Sequence, residues 1–192
     1  MPKLDLVFAI SSTSTDADET FKLMTSTISS LVQKYDSSNI RYGLLVYGKD
    51  YAIVVDVKNN TDAENVNKQL ATVAPLVGGS ALDKVLKAAA EMFSQAGDRL
   101  DADRVLVIMT DKSSLLDEDV LFGATKSLVK MAVKIIPVAV GTEVSPTEFN
   151  IVTAKSNIIT TNKDEDPDEL GEEIMEKAIS KYNMRIFLSR FN

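Results

Sequence analysis

The sequence predicts an α/β fold: a doubly wound, mostly parallel six-stranded sheet with one antiparallel edge strand and helices on both faces. Three observations predict it. Short, nearly continuous apolar runs recur along the chain (LDLVFAI, RVLVIMT, KIIPVAV), as expected of strands buried on both faces. Stretches with apolar residues at helical spacing separate them. Two further runs, RYGLLVY and YAIVVDV, are joined by only Gly48-Lys49-Asp50, a three-residue hairpin turn.

Taken in order, Leu4–Ile10 is the first strand. Glu19–Lys34 is a helix with Phe21, Met24, Ile28, Leu31 and Val32 on one face. Arg41–Tyr47 and Tyr51–Val57 form the hairpin. Thr61 opens a helix to Val73, with Asp62 and Glu64 favourably placed in its first turn, and Pro75 follows its end. Gly78-Gly79 opens a loop, and Ser80 caps a helix to Ser94 with Asp83 at the capping-box position. Arg104–Thr110 is a strand, Asp117–Met131 a helix, and Lys134–Val140 a strand. Pro137 inside that last strand predicts a bulge or local exposure. A short helix after Ser145-Pro146 leads to a final strand, Ile158–Thr161, and Pro167 starts a helix to Tyr182. No repeat or linker divides the chain. One domain is expected over residues 3–182, and residues 183–192 are an apolar, basic tail of unassigned role.

Composition narrows the function classes. The 192 residues carry a net charge of −7 and no visible basic stripe, which argues against a nucleic-acid partner. No apolar run is long enough to span a membrane, so no membrane insertion is expected. The start lacks the features of a signal peptide and fits either a cytosolic protein or a domain of a longer secreted one. Cysteine and histidine are both absent, which removes disulfides, Cys/His zinc sites and a Ser-His-Asp triad. Asn59-Asn60-Thr61 is one glycosylation sequon.

In open α/β sheets ligands sit beyond the carboxyl ends of the strands. Three segments are expected there: the five hydroxyl residues Ser11–Thr15, then Gly78-Gly79-Ser80, then Thr110-Asp111-Lys112. Hydroxyls with a carboxylate suit Mg²⁺ or Ca²⁺, and backbone N–H groups at a helix start suit a phosphate. Each piece also has a plain structural use as turn or cap. No phosphate-binding glycine motif is present. With no nucleophile–base pair and no histidine, catalysis has little material, and no catalytic residue is assigned.

The arrangement resembles a von Willebrand factor type A domain over Lys3 to Tyr182. The stretch "LDLVFAISSTSTDADETF" is similar to that family's opening strand, D-x-S-x-S loop and first helix. "VGGSALDKVLKAAAEMF" resembles the loop bearing its metal-site Thr, and "RVLVIMTDKSS" the strand ending in its second metal-site Asp. "IRYGLLVYGKDYAIVVDV" and "KIIPVAVGT" resemble its hairpin and its fifth strand. The flavour is that of matrix members such as collagen VI or matrilin domains.

The resemblance implies a metal-ion-dependent adhesion site in which Mg²⁺ or Mn²⁺ is completed by a partner's acidic side chain. Its ligand positions fall on Ser11, Thr13, Thr15, Ser80 and Asp111. Two departures stand out: Ser11 replaces the first carboxylate, and Lys112 stands where the family has Gly. One carboxylate leaves a divalent ion under-neutralised, so the resemblance implies a cation site weakened or lost. If the Lys112 ammonium turns inward, it adds repulsion. The implied function is a non-enzymatic protein-binding and adhesion module of an extracellular matrix or cell-surface protein, with collagen or another matrix protein as partner. The alternatives are an intracellular scaffold domain of the same family and a hydrolase on a Rossmann-like sheet with Asp111 as base.

Overall fold

The computed structural model describes residues 2–11, 13, 17–35, 38–59, 62–76, 78–97, 99 and 101–180. Its centre is a six-stranded sheet in the order β3-β2-β1-β4-β5-β6. The strands are β1 (Leu4–Ser11), β2 (Ile40–Tyr47), β3 (Tyr51–Val55), β4 (Asp103–Thr110), β5 (Lys134–Val140) and β6 (Ile159–Thr161). All neighbours run parallel except β3, which turns back antiparallel on β2 at the edge. The helices are α1 (Ala17–Lys34), α2 (Ala63–Leu70), α3 (Leu82–Gln95), α4 (Glu118–Lys130) and α5 (Pro167–Ile179).

The side-chain period of two along each strand divides the core into two layers. Leu4, Leu6, Phe8 and Ile10 of β1 pack with α1, α2 and α5. Val7 and Ala9 pack with α3 and α4 on the opposite face. Both faces are covered, so β1, β2 and β5 are buried along their whole length. This is why their sequences read as unbroken apolar runs rather than alternating ones. Gly43 lets α3 approach β2 closely: a Cβ there would lie 2.9 Å from the Met92 sulfur and 3.0 Å from Val7.

At the N-terminal edge, Asp5 is buried against two cations. Arg41 donates from Nε and Nη2 to its two oxygens at 2.8 and 2.6 Å, and Arg99 adds a contact at 3.2 Å. At the same edge the buried Lys134 ammonium closes the C-terminus of α5. It donates to the Ser180 carbonyl at 3.0 Å and hydroxyl at 2.8 Å, and to the Lys177 carbonyl. Burial lowers the Lys134 pKa.

Four expectations need correction. Ser80 does not cap α3: the N-cap is Ala81, without a side-chain cap, because the Ala81 N–H donates to the Gly48 carbonyl at 2.7 Å. That contact ties the loop to the hairpin, and Asp83 pairs instead with Lys87. The β3 strand stops at Val55, and Val57 turns into the core within a 3-10 turn. The α2 helix starts after Asp62, which accepts the Asn65 N–H at 2.8 Å, and ends at Leu70 rather than Val73. Thr61 lies outside the described residues.

The fourth correction concerns Pro137, which is neither bulged nor exposed: β5 is regular and buried. The Gly141 N–H donates to the Thr161 carbonyl at 2.8 Å and the Ile135 carbonyl accepts the Thr153 hydroxyl at 2.8 Å. Odd-numbered residues of β5 thus turn their polar backbone toward β6, which pairs only from Val138 onward. The N–H that proline lacks has no strand opposite it there. The α5 helix ends at Ile179, and Tyr182 and the tail 183–192 lie outside the described residues.

Candidate functional site

The C-terminal ends of β1 and β4 lie side by side, with Ser11 opposite Thr110. On the other flank Ile10 pairs with Val46, so Ser11 and Tyr47 are the next residues on their strands. The face that carries Val7 and Ala9 therefore also receives Ser11, Tyr47 and Thr110 at its upper end. All three are buried. Ser11 Oγ and Tyr47 Oη have no hydrogen-bond partner among the described residues.

Asp111, only 1% exposed, joins two segments. Its Oδ1 accepts the Thr13 N–H at 2.8 Å, and its Oδ2 accepts the Thr20 hydroxyl from α1 at 2.7 Å. Both carboxylate oxygens thus hold the β1–α1 connection against the end of β4. Charge-assisted bonds of this kind are the stronger class.

Ser80 arrives from the α3 side, held by the Ala81–Gly48 bond. A Cβ on Gly48 would lie 2.2 Å from the Leu76 carbonyl oxygen, so only glycine lets this loop close over the hairpin. Burial pushes the Tyr47 phenol well above its ordinary range; the Thr110 and Ser80 hydroxyls counter this, and the Glu148 and Asp111 carboxylates add to it.

The three sequence-derived segments therefore meet at one end of the sheet through Ser11, Thr13, Ser80 and Asp111. Thr15 lies outside the described residues, as does Asp16. Lys112 is half exposed and faces Glu143 at 3.8 Å, so its ammonium is turned to a surface carboxylate. Asp18 is exposed, and Asp83 is engaged by Lys87 at 3.5 Å.

Sequence reasoning missed Thr20, Tyr47 and Glu148. Glu148 lies in the 3-10 turn Pro146–Ile151 after β5. Its Oε2 accepts the Ser114 N–H at 3.0 Å, while its Oε1 is buried without a partner among the described residues. Desolvation raises its pKa. The alternation along β2 could have pointed to Tyr47. Nothing in the sequence links Glu148 to a loop more than thirty residues earlier.

A family model for the von Willebrand factor type A domain matches residues 5–176. The chain is 25% identical over 169 residues to the mouse collagen alpha-5(VI) chain, covering 85% of this chain and 6% of that protein. It therefore spans a small fraction of the curated relatives it matches. Among solved structures, proximal thread matrix protein 1 from the mussel byssus superposes with a TM-score of 0.81 at 18% identity, over 92% of this chain and 48% of that one. A form of the same mussel protein with a zinc-occupied metal-site motif gives 0.73 at 16% identity, over 92% and 45%.

Proposed function

The chain belongs to the von Willebrand factor type A domain family, and from that premise we propose that it is a non-enzymatic protein-binding module of the extracellular matrix. Its ligand is a matrix protein, with collagen the first candidate, and its divalent-cation site is weakened or lost.

The observation that carries this proposal is the state of Asp111. In the candidate ligand set Ser11, Thr13, Thr15, Ser80 and Asp111, it is the only carboxylate, and both its oxygens already accept hydrogen bonds. Magnesium gives up its water reluctantly and relies on carboxylates. Neutral hydroxyls and a committed Asp111 are a poor match to Mg²⁺, Mn²⁺ or Ca²⁺. Similarity to a collagen VI chain supports the matrix setting.

The test is binding to immobilised collagens in Mg²⁺ and again in a chelator, with calorimetric titration of the free domain by Mg²⁺ and Mn²⁺. Binding that persists in chelator, with millimolar or no metal affinity, is expected. Binding lost on chelation would mean a working metal centre. Turnover of a phosphoester panel, abolished by Asp111→Ala, would replace adhesion with catalysis.

A further inference from the structure

Two of the exposed large apolar side chains stand in one acidic segment. Leu115 is 87% exposed and Val120 41% exposed, at the rim of the site between Asp111 and the first turn of α4. Between them come Asp117, Glu118 and Asp119, all exposed. None of these three has an ion pair or side-chain hydrogen bond among the described residues. The segment's lysine, Lys112, faces Glu143 instead.

Leu115 is held in place rather than left loose. Its φ of 55° is left-handed, a conformation disfavoured for any residue with a Cβ. The residues before it are pinned: Ser113 N–H to the Glu143 carbonyl at 3.2 Å, Ser145 N–H to Ser113 Oγ at 2.7 Å, and Ser114 N–H to Glu148 at 3.0 Å. A leucine fixed in water in this way is a preorganised contact.

The segment Lys181–Asn192, KYNMRIFLSRFN, has the opposite charge and a matching apolar content. It carries Lys181, Arg185 and Arg190, no acidic residue, and Met184, Ile186, Phe187, Leu188 and Phe191. It departs from Ser180, which the first residue of β5, Lys134, holds. Because β4 and β5 are parallel, Ser180 lies where the strands begin and Leu115 beyond where they end. The residue from which this segment departs and the Leu115–Val120 surface therefore sit at opposite poles.

We propose that Lys181–Asn192 of one copy docks on the Leu115–Val120 surface of a second copy, joining domains head to tail. Phe187 and its apolar neighbours meet Leu115 and Val120, and the basic residues meet Asp117, Glu118 and Asp119. Such a contact is heterologous and leaves a free head and a free tail at the ends of each chain of copies.

Sedimentation velocity of the full chain, from micromolar to millimolar, tests this. The mass is expected to grow with concentration and to fall with added salt, which screens the charged part of the contact. Leu115→Ser and Phe187→Asp should each abolish growth. Mixing those two variants should give a 1:1 dimer and nothing larger, because one intact head and one intact tail remain. Glu118→Arg and Arg185→Glu should each weaken assembly and restore it when combined, which guards against a variant that merely misfolds. A wild-type chain that stays monomeric throughout overturns the proposal, whether its tail folds back on its own head or the surface serves a foreign protein. Growth that survives Leu115→Ser overturns it too. Collagen binding is read separately, so a monomer that still binds collagen leaves the proposed function standing.

Discussion

The carboxylate of Asp111 accepts the hydroxyl of Thr20 at 2.7 Å, tying the end of β4 to the first turn of α1. With its second oxygen on the Thr13 N–H, Asp111 is a structural clasp before it is anything else. Removing it leaves a buried hydroxyl and a backbone N–H without their acceptor. Asp111→Ala is expected to cost about 2–4 kcal/mol in urea unfolding, in chelator as well as in Mg²⁺. A residue serving only as a metal ligand would cost nothing once metal is withheld, so equal stability of the two proteins in chelator would sink this assignment.

The Tyr47 phenol is buried at the same end, without a hydrogen bond among the described residues, and burial raises its pKa above the ordinary 10.0. An acid whose neutral form is favoured by folding contributes its full share below its unfolded pKa. That share is lost as pH rises past about 10, where the unfolded chain ionises first. Tyr47→Phe keeps the ring and removes the orphan hydroxyl. It is expected to change stability at pH 7 by between zero and about 1 kcal/mol in the favourable direction. It should also flatten the loss of stability above pH 10 relative to wild type, measured as the difference between the two unfolding curves. A steeper alkaline loss in the variant would contradict the buried, neutral phenol.

Asp5 anchors the opposite edge by accepting from Arg41 twice and from Arg99 once. Two guanidinium groups lean on one buried carboxylate, so its loss leaves charge uncompensated rather than one bond fewer. Asp5→Asn keeps the shape and removes the charge, and is expected to cost about 3–5 kcal/mol. Chemical denaturation in low and high salt checks this. The cost should persist in salt, because buried pairs are screened little.

These positions differ in how far the sequence revealed them. The strands β1, β4 and β5 were legible because burial on both faces writes itself as an unbroken apolar run, and the hairpin because only Gly48-Lys49-Asp50 separates its arms. The hydroxyls after β1 and Asp111 after β4 were legible as residues at strand exits. Their partners were not. Thr20 sits among ordinary helix residues, and Glu148 reaches its Ser114 contact only because the turn after β5 folds back over the β4–α4 loop. The Ser80 cap was misread for a related reason: the backbone N–H of Ala81 found the Gly48 carbonyl, a tertiary bond that no local pattern encodes. Pro137 misled because its effect depends on where β6 begins, which is set by the neighbouring strand and not by the proline.

Ser11 offers the sharpest test of how much of the family's site remains. It is 1% exposed, on the strand between those of Tyr47 and Thr110 and level with both, beside a carboxylate that is already buried. Ser11→Asp places a second negative charge there. Without a cation it should destabilise by about 2–4 kcal/mol, from desolvation and from repulsion by Asp111. With a divalent ion the same charge becomes a ligand, and binding to the folded state alone stabilises it by about 2.7 kcal/mol at a hundredfold excess over the dissociation constant. The variant is therefore expected to melt below wild type in chelator and to recover in about 10 mM Mg²⁺, while wild type responds little to either. Recovery would mean that Thr13, Ser80 and Asp111 still stand where a cation can use them and that charge alone was lost. A variant equally unstable with and without Mg²⁺ would mean that the grip of Asp111 on Thr13 and Thr20 has closed the site against any ion.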